Sequence, residues 1–171
     1  RNGVPRKKLF LSESQEGIVP TTIWSHKDVG STQDAKKELI KLIKITSPES
    51  VFDTPKPRKL IEQMLRICTK KDNKSIVLDF FAGSGTTGEA VMNLNNADGG
   101  NRRFILVQLP ERTSSIDYPC ISELLKDRLK NAIRFFIERD KGKLSFSDRS
   151  PVDLGFKIFK LDKSNFKIWD G

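Results

Sequence analysis

The sequence predicts an α/β fold in which a parallel sheet of three strands is flanked by helices. Short apolar runs alternate along the chain with longer segments whose apolar residues recur every three or four positions. Such alternation favours parallel strands joined by right-handed crossovers. One strand runs directly into a glycine-rich turn and the start of a helix, within residues 75–87. That arrangement is typical of a corner that binds a nucleotide-like ligand.

Two helices are predicted before that turn. Residues 33–45 place apolar side chains on one side and lysines on the other. These lysines could contact a phosphate backbone, and a solvated helix face is the simpler alternative. Residues 60–67 repeat the amphipathic pattern after Pro57, whose fixed φ suits the first turn of a helix. A short strand is also possible at residues 9–11.

The elements from the turn onward are three strands and two helices. The strands are short β-branched or alternating runs, and the helices have apolar residues three and four positions apart. In chain order we expect a strand at residues 76–78, a helix from Thr86, a strand at residues 103–109, a helix over residues 121–140 and a strand at residues 155–161. On the last helix, Leu124, Leu125 and Leu129 are expected to face inward and Arg128 outward.

Composition limits the kinds of protein that this chain can be. It has 171 residues and a net charge of +9. The charge favours a polyanionic partner such as nucleic acid, although a solvated basic surface would have the same composition. No apolar run is long enough to span a membrane, and no signal peptide is recognisable. Cys68 and Cys120 set no disulfide or metal pattern and fit a reducing cytoplasm.

The glycine turn by itself is compatible with more than one ligand. Residues 83–88 match G-x-G-x-x-G, which also occurs in NAD sites, and no Gly-Lys-Ser/Thr follows that would indicate a P-loop. A NAD site usually has an acid at the end of the second strand, where this chain has Gln108. Asp79 and two aromatic residues stand between the strand and the first glycine. An acid can pair with an amine and an aromatic ring can cover a sulfonium, which suits S-adenosylmethionine.

The residues around this turn resemble motifs of a known enzyme family. Motif I of the amino-methylating DNA methyltransferases resembles Asp79-Phe80-Phe81-Ala82-Gly83-Ser84-Gly85-Thr86-Thr87. Thr54-Pro55-Lys56-Pro57 resembles their motif X. Motif X lies before motif I in the beta class, and the chain resembles the N6-adenine methyltransferases of that class. Residues 24–42, 103–111 and 155–166 are similar to modification subunits of type III restriction–modification systems. The resemblance implies a partial Rossmann-like, S-adenosylmethionine-dependent methyltransferase fold.

The resemblance also implies a cofactor, a reaction and partners. The cofactor would be S-adenosylmethionine, and the reaction would be adenine-N6 methylation of DNA. The partners would be DNA, a restriction subunit with helicase and nuclease activity, and a second modification subunit, in the cytoplasm of a bacterium. No metal ligand is expected. Carried over residue by residue, the cofactor-binding residues would be Asp53, Thr54, Lys56, Asp79, Phe81, Ala82, Gly83, Gly85, Thr86, Thr87 and Gln108.

The catalytic tetrapeptide of this family, Asp/Asn/Ser-Pro-Pro-Tyr/Phe/Trp, does not occur in the sequence. In the beta class it lies upstream of motif X, so we expect the chain to be a fragment that starts after it. Residues 1–50 would be the end of the target-recognition region and a connector. Residues 51–171 would be the S-adenosylmethionine-binding half of the methyltransferase domain. We expect such a fragment to be inactive alone and, through an open sheet edge, prone to self-association.

Two other functions remain open from the residues alone. A nicotinamide-dependent oxidoreductase would share the glycine pattern, but Asp79 before the glycines and Gln108 after the second strand disfavour it. A non-enzymatic DNA-binding module would account for the net charge of +9 and the lysine-rich helices. Salt-dependent binding of DNA without cofactor binding would identify that module.

Overall fold

The computed structural model describes residues 19–43, 45–46, 52, 54–71, 74–140 and 154–162. Its elements are the helices α1 (His26–Val29), α2 (Thr32–Leu42), α3 (Arg58–Cys68), α4 (Thr86–Asp98) and α5 (Ile121–Asp140), and the strands β1 (Ile76–Asp79) and β2 (Arg103–Leu106). The predicted helices and the first two predicted strands are confirmed, with some ends shifted. The short helix α1 was not predicted, and the possible strand at residues 9–11 lies outside the described residues.

The strands β1 and β2 run side by side and parallel, with Val77 opposite Phe104. Val77 and Phe104 both pack on the apolar cluster between α3 and α4. On the other face of the sheet, Ile76, Leu78 and Ile105 are 54%, 58% and 52% exposed. Parallel sheets are normally covered on both faces. Within the part of the chain that the structure describes, this apolar face is uncovered.

The third strand predicted at residues 155–161 is wrong. These residues are described, and they form no strand. The sheet of the described residues contains β1 and β2 alone. Leu154 and Phe156 pack on the cluster beside α5, whereas Phe159 and Leu161 are 85% and 89% exposed. Alternating apolar and polar residues form a strand only where a neighbour supplies backbone hydrogen bonds, and no described strand pairs with this segment.

Helix α4 lies at the centre of the described part and packs on elements from both sides. Met92 belongs to one apolar cluster with Leu129 and Phe136 of α5. Val91 belongs to another with Leu65 of α3. Full burial of each large apolar side chain stabilises the fold by about 1.5–3 kcal/mol. Helix α4 is therefore held between α3 and α5. None of the described helices is both long and apolar enough to cross a membrane.

Candidate functional site

The turn that follows β1 lies beside the carboxyl end of β2. Asp79 is paired with Leu106 in the sheet register. One residue further on, the N–H of Val107 donates to the carbonyl of Asp79 at 2.8 Å, and the N–H of Ala82 donates back to the carbonyl of Val107 at 3.2 Å. Ligands of open α/β sheets bind outside the carboxyl ends of the strands. The predicted motif I residues are thus placed where such a ligand would bind.

Two glycines of this turn have backbone conformations that other residues adopt only at a cost. Gly83 has a φ of 51° and Gly85 a φ of 83°, both in the left-handed region. Space is limited as well. A Cβ on Gly83 would lie 3.3 Å from the Phe52 ring, and a Cβ on Gly85 would lie 3.0 Å from Cγ of Leu125. Both positions therefore favour glycine for conformation, and a Cβ at either would be in tight contact with its neighbour.

Gly85 is also the residue that precedes the first turn of α4. No described side chain caps this helix N-terminus. The first N–H groups of a helix have no partner within the helix and carry the positive end of its dipole. The corner therefore offers hydrogen-bond donors to an electronegative group of a ligand, as at other helix N-termini.

The half-buried carboxylate of Asp79 is bound within the turn. Its Oδ1 accepts the N–H of Phe81 at 3.1 Å, and its Oδ2 accepts the hydroxyl of Thr87 at 2.6 Å. These bonds fix the direction of the carboxylate and tie β1 to the first turn of α4. An ionised carboxylate has about four acceptor positions. Asp79 can therefore organise the turn and also accept from a ligand.

Two aromatic rings stand at the mouth of the turn. Phe80 is 61% exposed and Phe81 is 84% exposed. Their ring centroids are 5.1 Å apart, in a tilted arrangement. A large aromatic side chain that remains in water gains stability when a ligand or another surface covers it. Phe81 is thus exposed beside the glycine turn, and its contact with a cofactor stays a prediction.

Gln108 lies next to the turn, and its side chain is used inside the protein. Its Oε1 accepts the N–H of Gly83 at 2.7 Å, and its Nε2 donates to the carbonyl of Leu109 at 3.2 Å. The resemblance implies that this residue binds the cofactor. In the structure it joins the end of β2 to the glycine turn, while part of its side chain remains exposed.

The predicted motif X segment reaches the same corner through its backbone. The hydroxyl of Thr86 donates to the carbonyl of Lys56 at 3.3 Å. The side chains of Thr54 and Lys56 are exposed. Asp53, the other residue predicted on this side, lies outside the described residues. The structure thus brings residues 54–57 to the N-terminus of α4.

A charged pair that was not predicted from the sequence lies behind the turn. We expected Arg128 on the outer face of the last helix, but it is completely buried. Its Nε lies 2.7 Å from Oε2 of Glu89, and its Nη1 donates to the hydroxyls of Ser84 at 2.9 Å and Thr86 at 2.8 Å. The signal was available, because Arg128 lies three residues after Leu125, on the inward stripe of the helix.

A second ion pair connects Glu89 of α4 to Arg58 of α3. Oε1 of Glu89 lies 3.4 Å from Nε of Arg58. Arg58 in turn pairs with Glu62, which also accepts from Nδ2 of Asn93 at 2.7 Å. A chain of alternating charges therefore links α5, α4 and α3 behind the glycine turn.

Surface depressions elsewhere do not overlap with this corner. One is lined by Thr21, Trp24, Asp28, Val29, Lys59 and Gln63. The second is lined by His26, Lys27, Val29, Gly30, Asp34, Lys37, Glu38, Lys41, Pro57 and Lys59. The first lies between α1 and α3, and the second lies between α1, α2 and the start of α3. Among the described residues, no group of three or more His, Cys, Asp or Glu side chains is placed to hold a metal ion.

Comparison with known proteins finds similarity over most of the chain. The family model described as DNA methylase, of N6 and N4 methyltransferases, matches residues 4–118. The type III restriction-modification enzyme StyLTI Mod subunit of Salmonella typhimurium is 35% identical over 166 residues, which are 93% of this chain and 23% of that protein. The EcoPI Mod subunit of Escherichia phage P1 is 38% identical over 145 residues, 81% of this chain and 20% of that protein.

A relative from another type of system matches a shorter part. The type II methyltransferase M.KpnI of Klebsiella pneumoniae is 38% identical over 108 residues, which are 63% of this chain and 24% of that protein. The chain therefore spans less than a quarter of the length of each of these curated relatives.

Proposed function

Because this chain belongs to the DNA methylase family, we propose that it is the S-adenosylmethionine-binding part of an adenine-N6 DNA methyltransferase from a type III restriction–modification system. The observation that carries the proposal is the corner where the carboxyl ends of β1 and β2 meet the N-terminus of α4. There, left-handed glycines lead the backbone into the first turn of α4, and Asp79 places a negative charge beside it.

The corner suits the chemical groups of S-adenosylmethionine. The carboxylate of Asp79 would bind the ammonium group, because an opposite charge held in a fixed direction binds more strongly than a free one. The N-terminus of α4 would bind the carboxylate of the same amino-acid moiety. The ring of Phe81 would cover the sulfonium or the adenine. The site would also include Ala82, Gly83, Gly85, Thr86, Thr87 and Gln108, with Asp53, Thr54 and Lys56 on the opposite side.

The proposed role of this chain in the reaction is to bind and orient the methyl donor. Bound S-adenosylmethionine supplies an electrophilic methyl group on a sulfonium. Positioning the donor in line with an adenine amine is the main requirement of such a transfer. We assign no catalytic residue, because the family tetrapeptide does not occur in this sequence. Residues 51–171 would form the cofactor-binding half, and residues 1–50 would be the end of the target-recognition region and a connector.

The partners of the intact protein follow from the same proposal. Its substrate would be DNA, which agrees with the net charge of +9 on this part alone. The relatives StyLTI and EcoPI are named as Mod subunits of type III enzymes. We infer that the intact protein assembles with a restriction subunit and with a second copy of itself. It would act in the bacterial cytoplasm, where the DNA is.

Titration calorimetry of the 171-residue chain with S-adenosylmethionine, and separately with NADH, tests the proposal. We expect saturable binding of S-adenosylmethionine and none of NADH. Binding of NADH alone would support an oxidoreductase instead. A second assay, with DNA and methyl-labelled cofactor, should show no methyl incorporation by this chain. Incorporation would show that the catalytic group lies within it.

A further inference from the structure

The guanidinium of Arg128 holds the two hydroxyl groups that flank Gly85. Its Nη1 donates to Ser84 before the glycine and to Thr86 after it, at 2.9 and 2.8 Å. Ser84 is 2% exposed and Arg128 is 0% exposed. These contacts are therefore shielded from water, where hydrogen bonds to a charged group are strong. Arg128 of α5 thus fixes the two residues on either side of Gly85, whose backbone is in the left-handed region.

The same guanidinium sets the direction of the next hydrogen bond. A guanidinium can only donate, so the hydroxyl of Thr86 accepts from it and keeps its own hydrogen to give. That hydrogen is directed to the carbonyl of Lys56, at 3.3 Å. Arg128 is thereby connected, through Thr86, to the segment at residues 54–57 on the other side of the corner.

A role in stability alone does not explain an arginine at this position. Replacing a buried ion pair by apolar groups of similar size is often neutral or stabilising. Arg128 is the largest fully buried side chain of the described part, and its Nη2 has no hydrogen-bond partner among the described residues. Unsatisfied buried donors are costly. An arginine at this position therefore fits a role in setting the geometry of the glycine turn better than a role in stabilising the fold.

The charge of Arg128 would oppose a cationic ligand if it were left unbalanced. Glu89 balances it, with Oε2 at 2.7 Å from Nε. Glu89 is itself 6% exposed and also pairs with Arg58, which in turn pairs with Glu62, so two positive and two negative charges cancel behind the turn. The turn is thus held by a strong donor without adding a net positive charge to the corner.

We propose that the Arg128–Glu89 pair is a positioning device for the glycine turn, in which Arg128 fixes Ser84 and Thr86 and Glu89 cancels its charge. The inference rests on the proposed function, because it concerns the same S-adenosylmethionine site. Neither side chain needs to touch the cofactor. Arg128 acts through the geometry of the turn, and Glu89 prevents the charge of Arg128 from repelling a sulfonium.

The chain offers a matched control for Arg128. Arg102 is also buried, and its Nη1 and Nη2 pair with Asp98 at 3.0 and 2.9 Å, near the far end of α4. Arg128→Lys and Arg102→Lys each keep the charge and lose the planar group that donates several bonds at once. Glu89→Gln keeps the shape and removes the balancing charge. Ser84→Ala removes one hydroxyl and leaves Arg128 in place.

The measurement is the dissociation constant of each variant for S-adenosylmethionine and for S-adenosylhomocysteine, which lacks the sulfonium charge, together with thermal unfolding. Arg128→Lys should weaken both ligands about tenfold, the effect of losing one charge-assisted hydrogen bond. Arg102→Lys should leave both within about twofold at a similar loss of thermal stability. Glu89→Gln should weaken S-adenosylmethionine more than S-adenosylhomocysteine.

Equal losses of affinity in Arg128→Lys and Arg102→Lys, or no loss in Arg128→Lys, would overturn the inference. If Arg128→Lys does not fold, Ser84→Ala decides. A loss of a few fold for both ligands supports the device, and unchanged affinity contradicts it. If the unmodified chain binds neither ligand, the proposed function itself fails. If the unmodified chain binds and the variants have the same affinity, only the positioning role is contradicted and the proposed function stands.

Discussion

The side-chain oxygen of Gln108 accepts the backbone N–H of Gly83 at 2.7 Å. This bond joins the end of β2 to the turn that follows β1. A residue expected to face the cofactor is thus part of the framework that shapes the site. The bond to Gly83 depends on Oε1 of the amide, and Nε2 is its other polar atom. Substitutions can therefore test the framework role and a role in cofactor binding separately.

Gln108→Ala should destabilise the glycine turn. It removes the acceptor of the Gly83 N–H, which costs about 1 kcal/mol for a partly exposed group. We expect the affinity for S-adenosylmethionine to fall about fivefold, as about 1 kcal/mol predicts. Gln108→Glu keeps an oxygen in place and should bind close to normally. Calorimetry on both variants checks this, and equal losses would show that the Nε2 group is the important one.

Asp79→Asn should weaken a charged ligand selectively. The amide keeps Oδ1 for the N–H of Phe81, and its Nδ2 can donate to the hydroxyl of Thr87. The variant loses the negative charge that we propose to bind the ammonium group. We expect about tenfold weaker binding of S-adenosylmethionine. Methylthioadenosine, which has neither the amino acid nor the sulfonium, should bind the variant and the unmodified chain alike. Asp98→Asn, at the other end of α4, is the control. Equal weakening of both ligands by Asp79→Asn would mean that Asp79 acts only on the turn.

A comparison of Gly85→Ala with Gly99→Ala separates the cost of the left-handed conformation from the cost of tight packing. Both glycines have positive φ, 83° and 71°, so alanine costs about 1–2 kcal/mol at either position. A Cβ at Gly85 meets Leu125 at 3.0 Å, whereas no atom of the described residues lies within 4 Å of one at Gly99. Overpacking adds about 1–3 kcal/mol. Urea unfolding should therefore show a larger loss for Gly85→Ala, and equal losses would contradict the packing at Leu125.

The ion pair of Asp98 and Arg102 should make stability depend on pH. Burial of Asp98 opposes its ionisation, but hydrogen bonds from Arg102 and Gly100 and the charges of Arg102 and Arg66 outweigh it. The pKa of Asp98 therefore lies below its ordinary value of 3.8. The folded state then binds the proton more weakly than the unfolded state, so this stabilisation is complete above pH 3.8 and is lost as pH falls through the folded pKa.

Asp98→Asn is the variant that tests this dependence. Because Asp98 is partly exposed and screened by water, we expect a loss of about 1 kcal/mol at pH 7. Urea unfolding from pH 7 to pH 3 should show the difference from the unmodified chain shrinking on the acid side. A difference that stays constant down to pH 3 would exclude Asp98 as the titrating group.

The sequence was sufficient for the elements whose signals are local. The run at Ile76, the glycines at positions 83 and 85 and the apolar spacing of α5 each determine a short piece of backbone by themselves. The structure places the predicted turn at the carboxyl ends of β1 and β2. The resemblance to DNA methyltransferases is confirmed by the family match over residues 4–118.

The predictions that were wrong concern residues whose structure depends on their neighbours in space. Residues 155–161 alternate as a strand does, but pairing requires a partner that no pattern within the segment can supply. Arg128 was assigned to the outside by its charge, although its spacing from Leu125 placed it inside with Glu89 as a partner. The assignment of Gln108 to the cofactor stays a prediction, and the folded turn adds its bond to Gly83. Arg128 and Glu89 are 39 residues apart in the chain, a separation that no local pattern covers.

The central claim is that the corner around the glycine turn holds S-adenosylmethionine. Amide hydrogen exchange of the chain, with and without saturating cofactor, locates the bound ligand directly. We predict slower exchange in peptides that cover residues 79–88 and 106–110, and unchanged exchange in peptides that cover α1 and α2. Unchanged exchange across residues 79–88 at saturating cofactor, or protection confined to α1 and α2, would contradict the claim.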